Sequence, residues 1–555
     1  VPADPHVTAE YLLLLDWLGL ADERRPLVES LRAFLQESVN SKGAWSDQND
    51  MLDVSTSTLC YLALKMSGSD ADDPFMSKVR ASIRSRGGAE VVNGLTRYYL
   101  ALYGQDSFDR CPVLPPEFLL LPRWLPMNVT RWSRWARAIL VPLSVLWALR
   151  PVRKEGTACE VDELYLNPAT RGHGHYVTGL SESTSLKARW WQFNARIACT
   201  VTRAIERAGL RPFRRTALRA AEKWMAERLD EHNGIAGSTT ATVLAAIAFD
   251  ALQHPSDSVP QATCLRAIEN ALSPAPLRPD DSNAGRDAMG VSPARVAIQD
   301  TAIVAHALAI AGLDPHTNEL RQGIEWLLQN ESTRPGDWSQ VVKTDPGGWS
   351  REFPNHFYPH ITATARVLQS MREPFANNPP SSLVTDDSMV AMIRANSMNL
   401  AKRQIAVLDR VAAASRRARL WLLAMQNGDG GWPCADRHHS RSVLYSRRFS
   451  DRFPIHDLSN AEATGAVLQA LGTWEMGCGQ SSVDRGVSYL RELQTAEGCW
   501  KSVHGGSDIA ATASVILGLR AVGISWRDMT ISRAADWLIA AQQSDGGWLA
   551  NSYDT

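Results

Sequence analysis

RARLWLLAMQNGDGGW, residues 417–432, sets the pattern for the whole chain. An amphipathic helical run leads into Gln, three residues, Gly, one residue and Trp. The spacing returns as QTAEGCW (494–500) after GVSYLREL and as QSDGGW within 542–548 after AADWLIAA. Looser copies with the same ending are QESVNSKGAW (36–45) and QNESTRPGDW (329–338). A Gly there lets the chain turn at a helix end, a Gln amide can bond backbone groups left open, and Trp can pack over the next junction. A fixed internal period of this kind is a repeat architecture.

A second repeated element follows the turns: a Thr-small pair opening an apolar helix. It occurs in QDTAIVAHALAIAGL (299–313), TATARVLQSM (362–371), EATGAVLQALG (462–472) and AATASVILGL (510–519). Weaker copies are DVSTSTLCYLAL (53–64) and STTATVLAAIAF (238–249). Helix, Gly-Trp turn and helix, repeated with almost no strand signal, predict an all-α fold of double-layered α-α barrels whose inner helices present their N-termini to one end. The composition shift at PAPLRPDDSNAGRDAMG (274–290) predicts two barrels, 1–280 and 285–555.

Composition narrows the function. Lys plus Arg (58) balances Asp plus Glu (59) over 555 residues, so nothing draws the chain to nucleic acid. Eight scattered Cys without a C-x-x-C pair favour reduced thiols, a cytoplasmic setting and no zinc site. The start at Val1 carries no signal-peptide pattern. The most apolar run, AILVPLSVLWAL (138–149), falls short of the ~20 residues of a membrane span. It reads as a buried helix, with an interfacial contact as the alternative. His438 and His439 lack partners at ligand spacing and read as loop.

The turns resemble the QW motifs of the squalene-hopene and oxidosqualene cyclases, the class II terpene cyclases. The likeness extends to PPEFLLLPRWLPMNVTRWSRWARAILVPLSVLWAL (115–149), RPFRRTALRAAEKWMAERL (211–229) and GDWSQVVKTDPGGWSREFPNHFYPHITATA (336–365). It implies two α-barrel domains, no metal or other cofactor, a linear isoprenoid substrate and a peripheral membrane contact near the cavity entrance. In that family a further repeat and an aromatic-rich tail follow the stretch at which this sequence ends, NSYDT (551–555).

The resemblance also poses the chemical problem. The helix at 360 would begin Asp-x-Asp-Asp-Thr-Ala, whose middle Asp protonates an alkene or epoxide. Here it reads His360, Ile361, Thr362, Ala363, Thr364, Ala365. Asp70, Ala71, Asp72, Asp73 has the acid spacing but lies in the loop SGSDADDPF, without a Thr-Ala pair. His⁺ is a poor replacement, since alkene protonation needs a strong, positioned acid.

Counting back from each Thr-small pair yields three carboxyl groups at inner-helix starts: Glu462, Asp300 and Asp508. Glu462 stands where the family commonly carries an Asp beside the acid, which makes it the leading donor, with Asp300 as helper. In an apolar cavity such a Glu would hold its proton at neutral pH. The competing account is that all three cap helices.

The resemblance also places Ala466 where a His would support the acid, and Arg351, Ala435 and Ala510 where aromatics would stand. Trp349, Phe353, Phe357, Tyr358 and Trp432 remain as cation-π walls or packing residues, beside His360 and Thr362. Arg351 either pairs with Glu352 or meets an anionic substrate head. The expectation is an atypical class II cyclase acting on a linear C20–C30 isoprenoid through a relocated acid. The alternatives are a non-catalytic isoprenoid binder or partner protein, and a prenyl isomerisation.

Overall fold

The computed structural model describes the chain apart from residues 1, 41–42, 46–51, 123–124, 126–127, 154–159, 168–199, 207, 210, 212, 275–287, 314–316, 354, 356, 373–397, 438–447, 451–452, 455–456, 503–507 and 549–555. His438 and His439 therefore lie outside the described residues. The protein is all-α, built as double-layered α-α barrel units, with two compact units. Unit 1 comprises Val1–Arg295 and Ser442–His456, and unit 2 comprises Val296–Arg441 and Asp457–Thr555.

In unit 1 the inner helices are α1 (Pro5–Trp17), α3 (Val54–Met66), α5 (Gly94–Leu102), α6 (Arg134–Leu149) and α8 (Thr239–Ala251). α1 packs on α3 and α8, α3 on α5, and α6 on α8. Outside them lie α2 (Arg25–Glu37), α4 (Pro74–Ser85), α7 (Arg214–Arg228) and α9 (Val259–Glu269). Burial explains the layering. α3 is buried continuously from Ser55 to Leu64, as a helix enclosed on all sides must be. α2 buries one stripe, Val28, Leu31, Phe34 and Leu35, and leaves its charged face to water.

The apolar run at 138–149 lies in α6 and is buried from Ala138 to Trp147. No described helix is long and apolar enough to cross a membrane. The Asp70–Asp73 stretch is a loop before α4, where Asp73 accepts the Phe75 N–H at 2.7 Å as an N-cap.

Unit 2 alternates inner and outer helices in chain order. The inner ones are α10 (Ala297–Ile310), α12 (Ile361–Arg372), α14 (Ala461–Thr473) and α16 (Asp508–Ala521), each packed on the next. The outer ones are α11 (Asn318–Gln329), α13 (Met398–Ala424), α15 (Ser481–Leu493) and α17 (Met529–Ala540). α14 and α16 approach most closely because glycines meet. A Cβ added at Gly518 would lie 2.3 Å from the Gly465 carbonyl oxygen, and one at Gly465 would lie 2.6 Å from that of Ser514.

The repeated turns share one hydrogen-bond scheme. Gln426 donates its side-chain amide to the Gly430 and Ser482 carbonyls, both at 2.8 Å. Gln494 does the same to Gly498 and Thr530, at 2.7 and 2.9 Å. Each Gln thus closes its own turn and ties it to the first residues of the following outer helix. The Trp indole donates back to a carbonyl of the preceding outer helix: Trp432 to Leu422, Trp500 to Leu490, Trp548 to Leu538. Gly430 and Gly498 have φ of 91° and 102°, and a Cβ on either would meet an outer-helix carbonyl at 2.6 Å. Only Gly fits both constraints.

The Thr of the Thr-small pair completes the scheme. Its Oγ1 accepts the turn Trp's backbone N–H in Trp432–Thr464 (2.9 Å), Trp500–Thr512 (3.1 Å) and Trp349–Thr364 (2.9 Å). One sequence expectation changes here. The loose copy at 329–338 ends in Trp338, but the equivalent role falls to Trp349, whose indole donates to Leu327 at 2.6 Å. Trp338 opens onto a 3-10 turn and stacks edge-on against Trp421. The inserted residues displace the turn by eleven positions.

Candidate active site

Within unit 2, the starts of α12 and α14 are joined through residues 432–436. The Ile361 N–H donates to the Cys434 carbonyl at 2.9 Å, and the Asn460 N–H donates to the Trp432 carbonyl at 3.1 Å. Asn460 is the N-cap of α14: its Oδ1 accepts the Ala463 N–H at 2.8 Å while its Nδ2 points to Cys434 Sγ at 3.4 Å. Beneath this segment lies buried Asp457. Its carboxylate accepts the N–H groups of Cys434, Ala435 and Asp436 at 3.1, 2.6 and 3.0 Å. Burial pushes the Asp457 carboxyl up to about 6, helped by the charge of Asp436, although the three N–H groups pull the other way.

Cys434 reports on what else is close. Burial raises its thiol well above the ordinary range, the carboxylates of Asp457 and Glu462 add to this, and Asn460 and Arg351 oppose it. Glu462 and Arg351 therefore both act on this sulfur, and the cluster holds charges of both signs.

Glu462 sits on the first turn of α14, and Asp300 on the first turn of α10. Both side chains are exposed, and neither has a hydrogen-bond or ion-pair partner among the described residues. Among the described residues, then, Glu462 is exposed and not enclosed. Asp508 differs: it is buried, accepts the Ser502 N–H at 2.5 Å and pairs with Lys501 at 3.0 Å. That is the geometry of a carboxyl group fixed at the α16 start.

His360 is buried at the entry to α12, and its Nδ1 shares a hydrogen bond with Thr362 Oγ1 at 2.9 Å. The two side chains occupy the positions at which the sequence comparison expected acids. Arg351 is partly buried, its Nε has no hydrogen-bond partner, and the pair with Glu352 does not form. Glu352 is instead fully buried and accepts from Asn355 Nδ2 at 3.5 Å.

The aromatic set divides by exposure. Trp349 and Trp432 are fully buried with indole N–H groups committed to helix ends, so they hold the turns together rather than line an open wall. Tyr358 is buried and donates its hydroxyl to Asp337 at 2.7 Å. Phe353 packs on Trp326 with centroids 5.1 Å apart. Phe357 is 41% exposed. Asp457, Cys434 and Asn460 escaped the sequence reading. Asn460 directly before an apolar helix is a legible N-cap. Asp457 binds residues some twenty positions earlier, and no local pattern announces such a contact.

The chain belongs to the squalene-hopene cyclase family, whose members are class II terpene cyclases. The model of the squalene-hopene cyclase N-terminal domain matches residues 1–275, and that of the C-terminal domain matches 291–383 and 375–555. A squalene–hopene cyclase of Bradyrhizobium diazoefficiens is 31% identical over 98% of this chain and 76% of its own. A probable squalene–hopene cyclase of Sinorhizobium fredii is 30% identical over 98% of this chain and 78% of its own. One from Zymomonas mobilis is 28% identical, covering 99% and 78% respectively. Among the described residues no group of three or more His, Cys, Asp or Glu could hold a metal ion.

Proposed function

We propose that this chain carries out protonation-initiated cyclisation of a linear C20–C30 isoprenoid, a polyprenyl diphosphate or a squalene-like polyene, with Glu462 as proton donor. The observation that carries the reading is an uncommitted carboxyl group on the first turn of an inner helix, beside the joined starts of α12 and α14. Asp508 is already held by Lys501, and Asp300 stands on a separate helix as a second, uncommitted acid. An apolar chain laid over the α14 start would strip water from Glu462, favour its protonated form and bring the alkene to it.

A second reading has its own support. His360 and Thr362 hydrogen-bond to each other where the family's acid is expected, and Arg351 brings a partly buried guanidinium, its Nε without a hydrogen-bond partner, that suits a diphosphate head better than a carbocation. These features favour a protein that binds an isoprenoid without cyclising it.

The test is metal-free incubation of wild type and Glu462→Gln with geranylgeranyl diphosphate, geranylfarnesyl diphosphate, squalene and oxidosqualene, with products read by mass spectrometry. Cyclisation by wild type and a loss of at least ~100-fold in the variant are expected. Equal product from both moves the donor to Asp300. Binding without product in wild type establishes the second reading.

A further inference from the structure

Three of the candidate groups in unit 2 hang on two neighbouring helix starts, His360 and Thr362 at that of α12 and Glu462 at that of α14. Their separation depends on the short segment between them. Cys434 contributes its carbonyl to the Ile361 N–H and lies against the Asn460 side chain, and Trp432 contributes its carbonyl to the Asn460 N–H. Three successive N–H groups of that segment, at 434–436, converge on one buried carboxylate.

We infer that Asp457 is a positioning residue: by gathering the N–H groups of Cys434, Ala435 and Asp436, it fixes the α12 and α14 starts relative to each other. It therefore sets the distance between Glu462 and the His360–Thr362 pair.

The chemistry of the side chain supports this role over simple helix capping. Asn460 already caps α14 through the Ala463 N–H, so Asp457 is not needed for that task. A carboxylate has two oxygens and about four lone-pair sites, enough for three N–H donors. A carboxamide of the same shape has one acceptor oxygen, and its NH2 would face at least one of the three N–H groups. Asp457→Asn thus releases part of the segment without removing volume. The contact spans a stretch of more than twenty residues, so the segment has no local substitute for the lost acceptor.

The inference rests on the cyclisation reading for its catalytic consequence, but its structural core can be tested without turnover. Hydrogen exchange would be followed at the 434–436 and Ile361 amides in wild type and Asp457→Asn, with the amides of α15 and α17 as internal controls. Faster exchange by about tenfold or more at those four positions, with the controls unchanged, is the expected result. With a substrate that wild type cyclises, kcat should fall by about 10- to 100-fold while KM moves less than about threefold, since a displaced donor loses the reaction and not the binding.

Unchanged exchange at 434–436 overturns the inference. So does exchange that rises uniformly through unit 2, which would mark a general loss of stability. If wild type forms no product at all, the cyclisation reading fails, and the exchange pattern alone still decides whether Asp457 positions the two helix starts.

Discussion

Asp457 shows how burial and hydrogen bonding compete at one side chain. Desolvation is the largest influence and raises its pKa from 3.8 to about 6 despite three backbone donors. The sign of the resulting pH dependence follows. The folded state holds this proton more tightly than the unfolded chain does, so the stability it contributes is fully present below about 3.8. It is lost as pH rises to about 6, and above that the ionised group carries a constant cost. A rise of about two pH units corresponds to roughly 3 kcal/mol. Wild type should therefore lose about that much stability relative to Asp457→Asn between pH 4 and pH 7, measured as paired urea midpoints. Parallel pH profiles for the two proteins would show that folding does not raise the Asp457 pKa. This group was not legible in the sequence, because its partners at 434–436 come close only once both inner helices are in place. Glu462 and Asp300 were legible as carboxyl groups within two residues of a Thr-small pair, Asp300 one residue before Thr301 and Glu462 two before Thr464. What the sequence could not supply was their exposure.

The repeated turn is the element that organises the barrels, and its parts have separable energetic roles. Gln, Gly, Trp and the downstream Thr each satisfy a group that the others leave open. Thr464 accepts the N–H of buried Trp432, so Thr464→Val leaves that donor without a partner at nearly constant volume. A cost of about 1–3 kcal/mol is expected, readable as a lowered thermal midpoint, and Thr464→Ser should recover most of it. The glycines at the α14–α16 contact make a different demand. Gly465→Ala would place a methyl 2.6 Å from the Ser514 carbonyl, forcing the two inner helices apart at a cost of about 1–3 kcal/mol. Because the Ser514 hydroxyl also donates to the Glu462 carbonyl at 3.1 Å, the same substitution should disturb Glu462 and lower turnover more than stability. An alanine there with unchanged turnover would detach the donor's placement from this helix contact. The turns were readable from sequence because their geometry is local and demands particular residues. The place of Trp338 was misjudged for the converse reason. A Gly-x-Trp ending can be satisfied twice within eleven residues, and only the indole contact with α11 selects Trp349.

At the scale of the chain, the helical pattern and the repeat order could be read in advance, while the course of the chain between units could not. The short strand Arg448–Ser450, which falls between α13 and α14 of unit 2 in the chain, contacts α5 of unit 1. No shift in composition marks that excursion. Function has the same split character. Family membership follows from repeats spread over the chain, whereas the proposed catalysis rests on a few side chains at inner-helix starts. Binding and turnover can therefore be separated experimentally. A bound isoprenoid at about 100 times its dissociation constant should stabilise the folded protein by about 2.7 kcal/mol. Both readings of the function predict a rise in the thermal midpoint with a non-reacting polyprenyl analogue, and both predict that Glu462→Gln keeps it, because an apolar chain is held by buried carbon rather than by one carboxyl group. Substituting Arg351 with Gln is the informative arm. It should abolish the rise for a diphosphate analogue while leaving that for a neutral polyene intact if the partly buried guanidinium meets the head group. An equal loss for both ligands would instead assign Arg351 to the integrity of the α12 start, and the substrate would then be read as a neutral chain.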